Sequence, residues 1–261
     1  MALYWKLVKA SLKSQLQYKL AFAFEVVMFM IMQALDFLLV AAILLKFDTV
    51  GGWDLYEVGY LFSIASLVRS LYRVFANEIH SFEKYTKNGE FDQLLTRPVS
   101  PLVLLFSRGI NWNQIGGFLQ GVLMLMFALW GLHEQGASIW AALLYLPVSI
   151  LSGALIVFSL GLATATIGFW TVKINELLAF THYGPLNAAS YPMHIYPGWL
   201  RGVLFTLIPV AFIAYVPSLY LFDKGGALWY LLVSPLIAFV VAGLALRFWK
   251  FGIKHYHSTG S

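Results

Sequence analysis

Cysteine is absent from the sequence, which excludes disulfide bonds and thiolate-based metal or redox chemistry. Charge is also scarce, because only 11% of the 261 residues are charged while 60% are hydrophobic. A soluble domain of this size needs many more charges on its surface. The mean hydropathy of +0.76 therefore indicates an integral membrane protein, and it favours helices because lipid offers no partner to unpaired backbone groups.

Several functional motifs are missing as well. The sequence contains no G-x-x-x-x-G-K-[ST] phosphate-binding loop, so we do not expect it to bind ATP by that route. It shows no hydrolase triad and no paired-carboxylate site, and apart from His255 and His257 its histidines lack metal-ligand spacing. We therefore predict no enzyme activity and no cofactor or metal bound by this chain. The first twenty residues lack the apolar core of a cleavable signal peptide, so the first span is the expected targeting signal.

Hydrophobic runs of about 20 residues, long enough to cross about 30 Å of hydrocarbon as a helix, occur along the chain. They predict an all-α membrane protein with six transmembrane helices in one domain over residues 20–255. The predicted spans are 20–45, 55–75, 111–132, 139–158, 174–191 and 227–249. Residues 1–19 are predicted to form an amphipathic helix on the membrane surface, because Lys6, Lys9 and Lys13 recur at helical spacing. Residues 256–261 are predicted to form a flexible tail.

Basic residues are distributed unevenly between the two predicted faces of the membrane. Only Lys46, Arg201 and Lys224 fall on one face, and all other lysines and arginines fall on the opposite face. Because cytoplasmic loops carry the excess of Lys and Arg, the rich face is predicted to be cytoplasmic. Both termini would then be cytoplasmic, with Glu134 and Asp223 outside. The net charge of +5 reflects this orientation against an anionic leaflet, and no nucleic-acid partner is expected.

The region before the last predicted span is rich in proline. Proline removes a backbone hydrogen bond and clashes with the preceding turn, so one straight helix is not expected. We predict that residues 192–222 form short helices that re-enter the membrane from its outer side. The prolines of this region are Pro192, Pro197, Pro209 and Pro217. Hydropathy leaves one alternative open, in which residues 203–222 form a complete span.

The hydrophobic pattern is interrupted by a charged segment at residues 77–101, which includes KNGEFDQLLTRPVSP. We predict a helix outside the membrane, broken at Asn88-Gly89 and closed by the prolines at its end. Phe91, Leu94 and Leu95 would form an apolar knob flanked by charges of both signs, a combination suited to a protein partner. The alternative is a solvated loop whose charges only stop membrane transfer.

Ionisable residues inside predicted spans seldom face lipid. Glu25 and Asp36 are eleven residues apart, about three helical turns, and so share one face of the first span. We interpret this face as a stripe along the substrate path that attracts a lipophilic cation. Its other predicted members are Phe29, Met32 and Gln33. For Glu25 the alternative, which we favour, is a structural ion pair with Arg69 or Arg73 on the second span.

Amide side chains crowd the start of the third predicted span. Asn113 and Gln120 are predicted to lie on the substrate path, although hydrogen bonds between helices are the commoner role of such amides in lipid. Gly117 and Gly121 have the G-x-x-x-G spacing that permits two helices to approach closely, and we predict that they pack helices together.

The order of these features resembles that of the type-2 ABC transporter permeases. A basic amphipathic start is followed by two spans, a cytoplasmic G-E-F-D-x-L-L-x-R-P-x-S-P motif, and four spans with a proline-rich stretch before the last. The chain is similar in particular to the branch of drug and antibiotic exporter subunits. The residues that carry the resemblance are Gly89, Phe91, Asp92, Leu95, Arg97, Pro98, Pro101, Phe169-Trp170, Tyr191-Pro192, Tyr196-Pro197 and Pro209.

The resemblance implies a permease subunit of an ATP-driven exporter in the plasma (inner) membrane of a prokaryote. In that family the cytoplasmic segment is a coupling helix seated in a cleft of the ATPase. The implied coupling residues are Lys87, Gly89, Glu90, Phe91, Asp92, Leu95 and Arg97. Two separate ATPase subunits would bind ATP and Mg, and a second permease, identical or related, would complete the substrate path. A secondary transporter and a non-enzymatic membrane scaffold are the competing interpretations.

Overall fold

The computed structural model describes residues 12–47, 49–171 and 173–256. Within these ranges the chain is largely helical and forms no β-strand, so the predicted all-α class is confirmed. The helices are α1 Lys19–Phe47, α2 Leu55–His80, α3 Phe82–Lys87, α4 Glu90–Leu95, α5 Pro101–Arg108, α6 Ile115–Glu134, α7 Trp140–Thr171, α8 Asn175–Leu178, α9 Gly184–Ala188, α10 Gly198–Thr206, α11 Tyr215–Leu221 and α12 Tyr230–Lys254. A π-helix occupies Ala179–Tyr183. Most of the predicted surface helix and tail lie outside the described residues.

Helix α2 occupies the centre of the bundle, where it packs against α1, α6 and α7. A capping box fixes its N-terminus. Asp54 accepts hydrogen bonds from the backbone N–H groups of Tyr56 (2.9 Å) and Glu57 (2.8 Å), and Glu57 accepts one from that of Asp54 (3.0 Å). Most α2 residues are buried, including Tyr60 and Ile64. The helix therefore forms the core around which the other long helices are arranged.

Four helical stretches of the described chain are long and apolar enough to cross a membrane. They are Leu12–Lys46, Trp112–Glu134, Trp140–Thr171 and Tyr230–Lys254. A fifth candidate is the pair Gly198–Thr206 and Val210–Leu221, which is bent by 72° at its break. Helix α2, which carries two arginines and two glutamates, is not among them. Length and composition of the helices therefore support four or five spans, and the prediction of six is not confirmed.

Two predicted spans have different lengths in the structure. Helix α7 ends at Thr171 instead of residue 158. Its threonines do not interrupt it, because the hydroxyls of Thr164 and Thr166 donate to the carbonyls four residues earlier (2.9 and 2.7 Å). The predicted span 174–191 corresponds to a continuous helical stretch over residues 175–188, in which α8, the π-helix and α9 follow one another without a break.

Helices α7 and α12 run parallel and are joined near both ends. Near their first turns the hydroxyl of Tyr145 donates to the backbone carbonyl of Leu231 (2.6 Å). Near their last turns the rings of Phe169 and Trp249 pack with centroids 5.3 Å apart. Phe91 of α4 packs against both of these rings. We call this side of the bundle the aromatic end.

The opposite end brings together the start of α2, the end of α6 and the loop before α12. Lys224 forms an ion pair with Glu57 (2.9 Å) and donates to the carbonyl of Gly52 (2.7 Å). Gly131 of α6 lies against the ring of Tyr56. The start of α2, the end of α6 and the loop before α12, which are distant in sequence, are thereby held together.

Residues 173–194 connect the two ends. The N–H of Ile174 donates to the carboxylate of Glu83 in α3 (3.3 Å), at the aromatic end. His194 lies against Gly51, at the opposite end. This segment therefore runs along the whole length of the bundle.

Residues 198–222 leave the opposite end and come back to it. Ile213, between α10 and α11, lies against Gly153 near the middle of α7. Lys224, just after α11, is again at the opposite end, in contact with Glu57. The segment thus reaches into the bundle and returns.

Candidate functional site

The segment between α2 and α5 folds into two short helices at the aromatic end. Helix α2 is kinked at Ala76, whose φ and ψ of −119° and 20° are not helical. Helices α3 and α4 are separated by Gly89, whose φ of +65° lies in the left-handed region that glycine adopts at little cost. Pro98 follows α4, and Pro101 is the first residue of α5. The predicted break at Asn88-Gly89 therefore lies between two separate helices, and not within a single helix as expected.

One side of this segment is buried in an aromatic cluster. The cluster consists of Phe82, Phe91, Phe169, Trp249 and Tyr256. The ring centroid of Phe91 lies 4.9 Å from that of Phe169, 5.0 Å from that of Tyr256 and 5.7 Å from that of Phe82. Their steep interplanar angles are those that aromatic pairs prefer. The cluster joins α3 and α4 to the last turns of α7 and α12.

The predicted apolar knob is wrong for two of its three residues. Phe91 and Leu94 are buried completely within the chain, and only Leu95 is exposed, at 42%. Residues three apart on a helix share a face, so Phe91 and Leu94 point together into the bundle while Leu95 points away. The sequence showed that the segment has an apolar side, but not that the ends of α7 and α12 would cover it.

The outer side of the segment is exposed and polar. Asn88 and residues 98–100 are exposed, together with five residues that we call the tip. The tip consists of Lys87, Gln93, Leu95, Thr96 and Arg97. Glu90 and Asp92 are half-buried between the two sides. Burial raises the pKa of Tyr256, and the neighbouring Asp92 carboxylate raises it further.

Polar contacts hold α3 in place beside the aromatic cluster. The carboxylate of Glu78, near the end of α2, accepts a hydrogen bond from the hydroxyl of Tyr85 (2.6 Å) and forms an ion pair with Lys84 (2.6 Å). Glu83 accepts from the backbone N–H of Ile174. These contacts tie α3 to α2 and to the chain that follows α7, so the tip rests on a fixed base.

A second polar site lies between α1, α2 and α6. We call it the polar seam, and its members are Gln33, Ser66, Ser70 and Gln120. The hydroxyl of Ser66 donates toward the amide oxygens of Gln33 and of Gln120, the latter at 3.1 Å. The amide nitrogen of Gln33 donates to Ser70 (3.4 Å). In the structure Gln33 and Gln120 therefore bond helices to one another, and the two serines were not singled out from the sequence.

Glycines allow the three helices of the polar seam to approach. A side chain at Gly117 would occupy the space of the Gln33 amide, and one at Gly121 would press on Leu67 of α2. The tightest approach is at Gly116, where a methyl group would overlap the backbone carbonyl of Val26 in α1. The G-x-x-x-G spacing did not identify Gly116, because that motif marks only residues four positions apart.

The sequence model of the ABC-2 family transporter proteins matches residues 30–260. The chain belongs to this family. It is therefore a multi-pass membrane protein and the permease component of an ABC transporter, as its resemblance to type-2 permeases implied. The matched range includes the tip, the aromatic cluster and the polar seam. No curated protein sequence matches the chain.

The ABC-2 permease does not form the predicted ion pair between Glu25 and Arg69 or Arg73. Glu25 instead accepts a hydrogen bond from the side-chain amide of Asn113. At this depth α1 packs against α6 and the turn that precedes it, so its carboxylate faces an amide and not the arginines of α2. Asn113 is accordingly an interhelix contact in this structure.

The predicted substrate stripe of the ABC-2 permease is divided. Gln33 points into the polar seam and Phe29 is half-buried, whereas Met32 (59% exposed) and Asp36 lie on the outer surface of α1. The charge of Asp36 acts on Arg69 of α2. Glu25 is exposed as well, so Glu25, Met32 and Asp36 are the members of the stripe that lie on the outer surface.

Proposed function

We propose that this permease couples to separate ATPase subunits through the tip and exports a hydrophobic or amphipathic compound. The observation that carries the proposal is that α3 and α4 have two different sides. Their outer side is exposed, and their inner side is locked to α7 and α12 by the aromatic cluster. A partner that displaces the tip would displace both long helices, because a close-packed core transmits a movement instead of absorbing it.

In the proposed assembly two ATPase subunits, which bind ATP and Mg, serve a pair of permeases that are identical or related. ATP binding would close the ATPase pair, the tips would follow, and the helix bundles would change the side of the membrane to which the substrate path opens. Met32 and Asp36, which are exposed on α1, are proposed to face that path between the two permeases. The membrane is proposed to be the plasma (inner) membrane of a prokaryote.

We further propose six crossings with the aromatic end in the cytoplasm. Helix α2 is 26 residues long, enough to cross, and residues 173–194 connect the two ends. Residues 198–222 would re-enter the membrane and return, where the bundle covers their irregular backbone. The charges favour this orientation, since Lys87, Lys173 and Lys254 belong to the aromatic end.

Single cysteines should report this orientation, and the native chain contributes no background because it has none. Lys87→Cys is expected to be protected from an impermeant maleimide in intact cells, whereas Glu134→Cys and Asp223→Cys are expected to react. All three should react after lysis, which controls for burial. Labelling of position 87 in intact cells would contradict both the orientation and the docking of a cytoplasmic ATPase.

Coupling is tested at the tip by the double substitution Leu95→Ala and Arg97→Ala. Both side chains are exposed, so the melting temperature of the permease should not change, whereas retention of the ATPase during co-purification should fall about tenfold or more. Substrate-stimulated ATP hydrolysis in reconstituted vesicles should fall with it. Lys254→Ala is the matched control, because Lys254 is exposed at the same end but lies outside the tip.

Two results would go against this proposal. A double variant that keeps its ATPase and transports at the normal rate would remove the tip from the coupling surface. Transport by the permease alone, in vesicles that contain no ATPase, would favour the secondary transporter.

A further inference from the structure

A cluster of basic side chains lies between α2 and the π-helix. We call it the arginine–histidine cluster, and its members are Arg69, Arg73, His80 and His182. The rings of His80 and His182 have centroids 4.8 Å apart. Arg73 lies over the ring of Tyr183, with its Cζ atom 5.5 Å from the ring centre. The hydroxyl of Tyr183 is 3.2 Å from Nδ1 of His80.

The polar atoms of this cluster lack protein partners. The Nε atoms of both arginines, Nε2 of His80 and both ring nitrogens of His182 are fully buried without a hydrogen bond. His182 as a whole is only 1% exposed. A buried polar group without a partner is costly, and native structures contain few of them. Five such atoms in one place indicate a site that is complete only when something else is bound.

The surrounding carboxylates do not neutralise the two arginines. The ion pairs found among the described residues join Lys84 to Glu78 and Lys224 to Glu57. Asp36 acts on Arg69 from α1, but it lies beyond ion-pair distance and is exposed. Among the described residues Arg69 has one hydrogen bond, a long one to the carbonyl of Leu186 (3.4 Å). The cluster therefore has an excess of positive charge.

The cluster is also accessible from outside the chain. Both arginines are half-buried, and Tyr183, which closes the cluster, is 39% exposed. His182 and Tyr183 belong to the π-helix, an irregularity that occurs frequently at functional sites because it re-aims the side chains of one turn. A ligand entering beside Tyr183 would lie next to Arg73 and His80.

We propose that the arginine–histidine cluster binds an anionic group, a phosphate or a carboxylate, carried by a lipid headgroup of net negative charge or by a free anion. The planar guanidinium groups of Arg69 and Arg73, one helical turn apart, present N–H donors in the fork that matches such oxygens. The neutral imidazoles of His80 and His182 can each supply one further N–H donor. This site is independent of the tip and does not require the proposed ATPase coupling.

The test measures the melting temperature of the purified full-length permease in neutral detergent as phosphatidylglycerol, phosphatidylcholine or inorganic phosphate is titrated. The anionic lipid or inorganic phosphate is expected to raise it, and phosphatidylcholine much less. Arg73→Gln should weaken the apparent affinity about tenfold or more, since charge-assisted hydrogen bonds are lost. Arg247→Gln, which removes an exposed arginine from α12, is the matched control and should bind as the native chain does.

The two anion titrations separate the sources of the ligand. A response to inorganic phosphate identifies a free anion, and a response to phosphatidylglycerol alone identifies a headgroup. If Arg73→Gln does not fold, Arg73→Lys keeps the charge without the fork and should bind with intermediate affinity. Equal responses to both lipids without a response to phosphate, or an Arg73 variant that binds like the native chain, would overturn the proposal.

Discussion

Phe91→Ala is expected to lower the free energy of unfolding by about 3–5 kcal/mol, the range typical of truncating a buried aromatic side chain. Phe91 has no exposed surface and contacts four other rings of the aromatic cluster, so its removal leaves a cavity between α4 and the ends of α7 and α12. The loss can be measured by thermal or detergent-induced unfolding of the purified permease. Tryptophan fluorescence is a suitable signal because Trp249 belongs to the cluster.

Leu95→Ala provides the control for Phe91→Ala within the same helix. Leu95 is 42% exposed, so its truncation should change stability by no more than about 0.5 kcal/mol. Phe91→Leu, which keeps most of the apolar volume, should recover part of the loss. A Phe91→Ala permease that melts like the native chain, and loses only its ATPase, would show that this ring is an external anchor after all.

Gly116→Ala is expected to cost about 1–3 kcal/mol, the usual effect of forcing extra atoms into a packed interface. The added methyl group would overlap the backbone carbonyl of Val26, and a backbone cannot rotate away as a side-chain tip can. Helix α1 must therefore shift, which also disturbs the polar seam at Gln33. The measurement is the melting temperature together with the rate of proteolysis in α1.

Gly243→Ala is the matched control for Gly116→Ala. Gly243 lies within α12, and a methyl group there would meet no other atom. Because alanine is a better helix former than glycine, this change should leave stability unchanged or raise it by up to about 1 kcal/mol. If the two substitutions had the same effect, α1 and α6 could not be packed as closely as the structure shows.

The sequence identified the helices whose positions follow from long apolar runs. Helices α1, α6, α7 and α12 are of this kind. The end of α7 was predicted at residue 158, whereas the helix continues to Thr171. Its threonines do not end it, since their hydroxyls bond to carbonyls of the same helix. The π-helical turn at Ala179–Tyr183 was not predictable in this way, since hydropathy averages over a window and does not register such a turn. Helix α2 was predicted from the length of its apolar run, but its burial at the centre of the bundle depends on helices that are far away in sequence.

Burial and pairing limited what could be said about the site. The position of the segment 77–101 between two membrane helices could be predicted from the sequence, and so could its break at Gly89. Which side of α4 is covered depends on Phe169 and Trp249, and no local pattern links these residues to Phe91. The same reason explains Glu25, whose partner Asn113 is 88 residues distant in the chain. The sequence placed the polar residues in the correct helices, but it did not identify the residues with which they form hydrogen bonds.

The hydrogen bond between Tyr145 and the carbonyl of Leu231 has a chemical origin in α12. Pro235 has no N–H to give to the carbonyl four residues earlier, which is that of Leu231, so an ordinary helical bond is missing at this point. The Tyr145 hydroxyl replaces the missing donor from a different helix. A local defect in one helix is thus converted into a tie between two. Since α7 and α12 are also joined at their far ends, one helix cannot slide along the other without breaking a bond, and the pair resists shear.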